Sequence, residues 1–318
     1  MADDSGPGLT KGSQNQQASA GGANPLNAAN SGQPPTWGRV DRTRLFLWAG
    51  IAVIPSLAFR FLLHRAAGRD DSVLTVQSEL PTKAVALFFV SLATWILSRQ
   101  EKRPLDDYGI PLRKAFGGKF WEGSVWGFAM LSAILGVLRV LGHFRVDSVD
   151  LTGAALFRYA LAWGLVFLAV AINEEFAFRG YLLFVLAKRL PFWLAAAILS
   201  VSFGSAHLLN PGENPFGILQ VVVIGLLFCL TLRRTGNLWF AVGFHAAWDW
   251  AETFFYGTPN SGLLGVGRFL NTSVQGPNWL TGGSAGPEGS VVAFLVLLLC
   301  ALLIHLRFPN ALYPDRSV

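Results

Sequence analysis

Residues 171–180 read AINEEFAFRG and follow the apolar run GAALFRYALAWGLVFLAVAIN of residues 153–173. A run of that kind is long enough to cross a bilayer, which takes about 20 apolar residues. It ends on two adjacent carboxylates, Glu174 and Glu175, and an arginine, Arg179. Helix-forming residues continue through EEFAFRGYLLFVLAK to Pro191. The reading is therefore one long helix, bent near Gly180, with the charges inside the span.

The rest of the chain agrees with a membrane setting. Of 318 residues only 14% are charged and 52% are apolar, and the mean hydropathy is +0.44. Apolar segments recur at 44–63, 83–98, 120–141, 153–173, 191–209, 216–232, 237–255 and 290–306, which makes about eight spans. The expected fold class is all-α, a polytopic transmembrane helical bundle with its site inside a core of about four helices.

Five regions follow. Residues 1–38 are rich in Gly, Ser, Asn, Gln and Pro and read as a disordered cytosolic tail. Residues 39–150 form the first transmembrane helices, 151–256 the core, 257–289 an extracytoplasmic loop, and 290–318 a last helix with a short tail. The formal charge of +6 comes from short basic clusters between apolar runs, without a basic stripe interleaved with aromatics, so nucleic acid is excluded as a partner. Arg39, Arg42, Arg44, the 99–119 connection, Lys188, Arg189, Arg233, Arg234 and Arg307 all fall on one side of an alternating topology. The positive-inside rule makes that side cytoplasmic, with both termini there. Arg65, Arg69, Arg139 and Arg145 run against the assignment but are fewer. The expected location is the plasma (inner) membrane. Cys229 and Cys300 lie inside apolar runs and read as buried free thiols.

Ionisable groups in hydrocarbon are costly, so they normally face a bundle interior, pair, or serve a site. Three segments carry them: NEEFAFR at 173–179, SFGSAHLLN at 202–210, and FHAAWDWAE at 244–252. If the chain reverses near Leu190, Glu174 and His207 each lie roughly 25 Å of helix from the turn, at similar depth. Glu175 and Arg179 are i,i+4 and pair on one face, while Glu174 points about 100° away. His245 and Asp249 are also i,i+4, and Glu252 extends that side.

This set of groups suits two uses. A glutamate could take a proton from water, helped by His207, while a second imidazole donates to an oxyanion. Alternatively, two histidines and a carboxylate could hold zinc. Neither an HExxH motif nor a GxSxG elbow is present. Ser202 and Ser205 read as bonding to their own helix, and His64, His143 and His305 as lying outside any site.

The ordered set Glu174-Glu175-x-x-x-Arg179, Phe203-x-x-x-His207 and His245-x-x-x-Asp249 resembles the motifs of the CPBP intramembrane proteases. That family includes the CAAX prenyl endopeptidases of the Rce1 type and the bacteriocin-processing and immunity (Abi) proteins. The resemblance spans roughly residues 155 to 255. It implies an endopeptidase cutting in or next to the membrane, of CAAX-type activity in some members. Its substrate would be a membrane-associated or lipidated protein or peptide, and the bilayer is its other partner. Carried onto this chain, it makes Glu174 and His207 the residues that activate water, and His245 with Asp249 those that stabilise the oxyanion. Glu175 and Arg179 become supporting residues. It leaves the cofactor open between none required and Zn2+, which Glu174, His207 and His245 would hold. Asp249 departs from the asparagine common at that position; an ionised carboxylate cannot donate as an amide does. A non-proteolytic immunity or scaffold protein of the same family is the alternative. A cation-coupled transporter is a further one, against which the absence of an internal repeat counts.

Overall fold

The computed structural model describes residues 39–67 and 73–313. The tail expected at 1–38 lies outside them, as do the last five residues. The described chain is a helical bundle, as its hydropathy pattern implies. Helix α1 runs Arg39–Ala67, α2 Val76–Glu101, α3 Gly118–Val140 and α4 Gly153–Ala187. Then come α5 Phe192–Ala206, α6 Pro215–Thr235, α7 Trp239–Trp250 and α8 Val291–Arg307. Six of the described helices, counting the short His207–Leu209 turn with α5, are long and apolar enough to cross a membrane; α7 and α8 are shorter. Apolar side chains face outward along them, with Phe46 78% and Leu298 68% exposed, as a lipid-facing surface requires.

Local sequence sets the helix limits. Thr75 caps α2 by accepting from Ser78 N. At α6, Asn214 accepts from Phe216 N and Gly217 N with Pro215 in the first turn, and Gly236 closes the helix with φ 77°. Ser290 caps α8. Helix α4 is continuous over Gly153–Ala187 but widens into a π turn at Phe176–Tyr181, where Gly180 leaves helical geometry (φ −83°, ψ −109°). The bend falls where the sequence places it.

Helices α3 and α7 pack at backbone distance. Gly123 and Gly127 on α3, spaced as GxxxG, lie against the carbonyls of Phe240 and Phe244, and Gly243 on α7 lies against that of Phe120. A Cβ at any of the three would collide with backbone. Apolar chains gain no hydrophobic drive from packing in lipid, so close backbone approach through small residues holds such pairs.

The bundle has two distinct ends. At one end, Leu238 N donates to Gly109 O, Trp239 Nε1 to Pro111 O, and Tyr313 N to Arg233 O. Arg44 and Lys188 both pair with Glu101 there. The other end carries two small ribbons. Strand β1 (Val73–Leu74) pairs in parallel with β3 (Leu264–Gly265). Strand β2 (Phe144–Val149) pairs antiparallel with β4 (Leu270–Val274), Phe144 opposite Val274, with a bulge between Val146 and Ser148. Residues 257–289, expected as a loop, are thus an ordered cap. Asn210 and Asn214 tie the cap to the α5–α6 connection by donating to Ser261 O and Gly282 O.

Candidate active site

A cavity of about 260 Å³ opens among α4, α5, α6 and α7. Its lining includes Glu174, His207, His245 and Asp249 together. The long α4 delivers Glu174 from one side. His207 stands just past the end of α5, where Pro211 and the cap turn the chain. Helix α7, set by its glycine contact with α3, presents His245 and Asp249 one turn apart.

His245 is the centre of the charge arrangement. Its Nδ1 donates to Glu175 Oε1 at 3.0 Å. Its Nε2 faces Glu174 Oε2 at 3.8 Å and Asp249 Oδ2 at 3.5 Å. The Phe228 ring stacks on the imidazole with centroids 5.4 Å apart. Carboxylates therefore meet both ring nitrogens, an arrangement in which an imidazolium donates from both sides. Glu175 also accepts from Arg179 Nη1 at 3.2 Å, with both side chains fully buried. The guanidinium lies over the Phe203 ring at 4.3 Å, a cation–π contact that fixes it without exposing it. Gly225 gives it room: a Cβ there would come 2.8 Å from Arg179 Nη2.

His207 is held differently. Its Nδ1 donates to the Phe203 carbonyl at 2.9 Å. A carbonyl only accepts, so the proton sits on Nδ1 and neutral His207 keeps an acceptor at Nε2. The Phe203 ring packs against it edge to face at 4.9 Å.

Several residues of the sequence reading stay apart from the cavity. Glu252 follows α7 into a second π turn (Ala251–Phe255) and accepts from Trp248 Nε1 at 3.1 Å instead of extending the His245 side. The π turn adds a residue to the repeat and rotates Glu252 off that face. His143 bonds Gln275 O in the cap, and His305 bonds Arg234 at the opposite end. Ser202 and Ser205 donate to carbonyls one turn back in their own helix. The side chain of His64 lies outside the description. Cys229 and Cys300 are buried free thiols.

Other residues join the cavity with no motif to announce them. Lys83 of α2 brings its ammonium to 3.7 Å from Glu174 Oε1. Arg60 of α1 and Glu79 of α2 line the same space. From the cap, Asn260 lines the cavity with Asp249 and donates to Thr253 Oγ1 at 3.2 Å. Glu288 lines the cavity too and accepts from Ser261 N and Oγ. Burial, with the Glu213 carboxylate next, pushes its carboxyl up to about 8. Lys83 occupies a long-range position that no helical spacing reveals. Asn260 and Glu288 belong to a stretch whose Gly, Ser and Pro content reads as a loop.

The sequence leaves zinc open as a cofactor. Glu174, His207 and His245 share the cavity but do not converge as a donor set: no three His, Cys, Asp or Glu side chains among the described residues are placed to hold a metal ion. Lys83 also brings a positive charge to the carboxylate that a dication would need. As arranged, the residues do not fit the ion.

Residues 156–251 match the family model described as type II CAAX prenyl endopeptidase Rce1-like. That segment holds all six residues read from the motifs, and the family resemblance is borne out there. It is a protease family, and the apolar helices around the segment make the chain a multi-pass membrane protein. Neither a curated protein nor a solved structure matches the chain.

Proposed function

We propose that the protein is an intramembrane endopeptidase in which Glu174 and His207 activate water and His245 receives the developing oxyanion. The observation that carries this reading is the gathering of Glu174, His207, His245 and Asp249 around one cavity within the bundle. In that arrangement water bound between the Glu174 carboxylate and the free Nε2 of His207 loses a proton to them as it attacks the peptide carbonyl. The His245 Nε2–H donates to the carbonyl oxygen as it gains charge. Glu175 holds His245 through Nδ1, and Arg179 holds Glu175. Lys83 balances the charge of Glu174. Asp249 faces the same nitrogen of His245 as Glu174 does; its part is to keep the imidazole protonated there, with Asn260 as the neutral amide beside it. The carboxylate then returns its proton to the leaving amine. No step is routed through a metal ion.

The test is hydrolysis of internally quenched peptides by purified protein in detergent. Glu174→Gln and His207→Ala should each lower the rate by about 10² to 10⁴-fold, the usual worth of a positioned acid–base group. Their melting temperatures should stay close to wild type. Full activity in both variants would sink the assignment.

A further inference from the structure

Gln220 of α6 is fully buried, yet neither Oε1 nor Nε2 of its amide has a hydrogen-bond partner among the described residues. Buried amides are paired almost without exception, because taking a polar atom out of water without replacing its bonds is costly. This amide belongs to the wall of the cavity that holds Glu174, His207 and His245. Helical spacing places it there. Gln220, Ile224 and Phe228 follow at i, i+4 and i+8 on one face of α6, and all three line the cavity. Phe228 stacks on the His245 ring. Gln220 therefore stands two turns along the wall from the level of the imidazole, about 12 Å at 1.5 Å per residue. The facing wall extends as far: on α4, Val166 and Val170 precede Glu174 by two turns and by one, and both line the cavity. Of the α6 residues in the wall, Val221, Ile224 and Phe228 are apolar, so Gln220 alone offers hydrogen bonds from that helix.

We infer that Gln220 binds the main chain of the substrate, at a residue three or four positions from the bond that is cut. Its amide presents an acceptor, Oε1, beside a donor, Nε2–H. That is the complement of one residue of an extended chain, whose N–H and C=O point to the same side. An extended chain advances about 3.3 Å per residue, so 12 Å corresponds to three or four residues. The inference rests on the endopeptidase reading and adds the form of the substrate to it. The substrate is a polypeptide unwound along the cavity and held by its backbone at Gln220, whatever side chain it carries there.

The test uses peptides in which the N–H of one residue at a time is replaced by an ester oxygen, on either side of the scissile bond. Cleavage by the purified protein in detergent is read by mass spectrometry, which also locates the bond cut, with Glu174→Gln as background. Wild type should lose about five- to tenfold in kcat/KM at one position three or four residues from that bond, the worth of one hydrogen bond. Gln220→Met, similar in length but apolar, should slow cleavage of the all-amide peptide by about as much. The loss should lie in KM with kcat kept, since the contact is made equally before and during the reaction. The ester penalty should disappear in the variant. Its melting temperature should equal or exceed that of wild type, because an unpartnered buried amide is exchanged for an apolar chain. An ester penalty of the same size in both proteins would overturn the assignment, as would a fall in kcat with KM unchanged. A lower melting temperature would mean that the amide is bonded within the free protein, which removes the ground for the inference. Cleavage by wild type with no sensitive position would overturn the inference and leave the endopeptidase reading intact. No cleavage of any peptide by wild type, the all-amide one included, would remove the endopeptidase reading and the substrate with it.

Discussion

Lys83 stands 3.7 Å from Glu174 Oε1, and both side chains are partly open to the cavity. An ammonium at that distance stabilises the ionised carboxylate, the form able to take a proton from water. Lys83→Met should therefore slow peptide hydrolysis by about tenfold, a barrier change of about 1.4 kcal/mol, whereas Lys83→Arg should keep most of the rate. A Lys83→Arg variant as slow as Lys83→Met would show that the positive charge of Lys83 is not what the reaction uses. The zinc question is tested at the same scale. Treatment with a chelator such as 1,10-phenanthroline should leave the rate unchanged, as the proposed reaction on side chains requires; loss of activity restored by Zn2+ would refute that. Part of this arrangement is legible in the sequence. Spacing alone pairs Glu175 with Arg179 and sets Glu174 on another face. That Glu175 also receives His245 Nδ1 is not legible, because it depends on how α4 and α7 cross, 70 residues apart in the chain.

At the scale of an element, α7 is the most constrained piece of the site. It is only twelve residues long, so its position comes from packing and not from its own span of the bilayer. Gly123 and Gly127 of α3 provide that packing by letting the Phe240 and Phe244 carbonyls come to backbone contact. Gly127→Leu would force the helices apart and carry His245 with them. It should destabilise by about 1–3 kcal/mol, the usual cost of overpacking. It should also lower hydrolysis far more than a lipid-facing change such as Val125→Leu on the same helix. Thermal melting followed by tryptophan fluorescence, with rate measurements below the transition, separates the two effects. Equal rates for Gly127→Leu and wild type would mean that α7 is positioned otherwise. The eight apolar segments all appear as helices, and the bend of α4 falls at Gly180. The π turns after Glu175 and Trp250 could not be read, since one added residue in a turn leaves no compositional trace. That is why helical spacing places Glu252 on the His245 side while the folded chain bonds it to Trp248.

Across the whole molecule, the bundle and its cap depend on contacts between distant stretches. Strand β2 pairs with residues more than 120 positions later, Phe144 with Val274, and strands so short carry little signal of their own. The basic end, by contrast, is legible from the positions of Lys and Arg alone, because cations are kept off one side of a membrane protein in sequence as well as in space. Glu288 links the cap to the cavity through Ser261 and gives the cap a dependence on pH. Burial, then Glu213 and Asp249, raise its carboxyl to about 8, against the donors of Ser261. A group raised in the folded state holds its proton there while the unfolded chain has already lost it. Stability therefore falls as pH rises from the ordinary carboxyl range to about 8, and levels off above it. The melting temperature of the wild type should drop between pH 6 and pH 9. Glu288→Gln keeps an acceptor for Ser261 but has no proton to lose, so its melting temperature should change less over that interval and exceed that of wild type at pH 9. Parallel curves for the two proteins would show that Glu288 ionises normally in the folded cap, and that the pH dependence comes from elsewhere in the bundle.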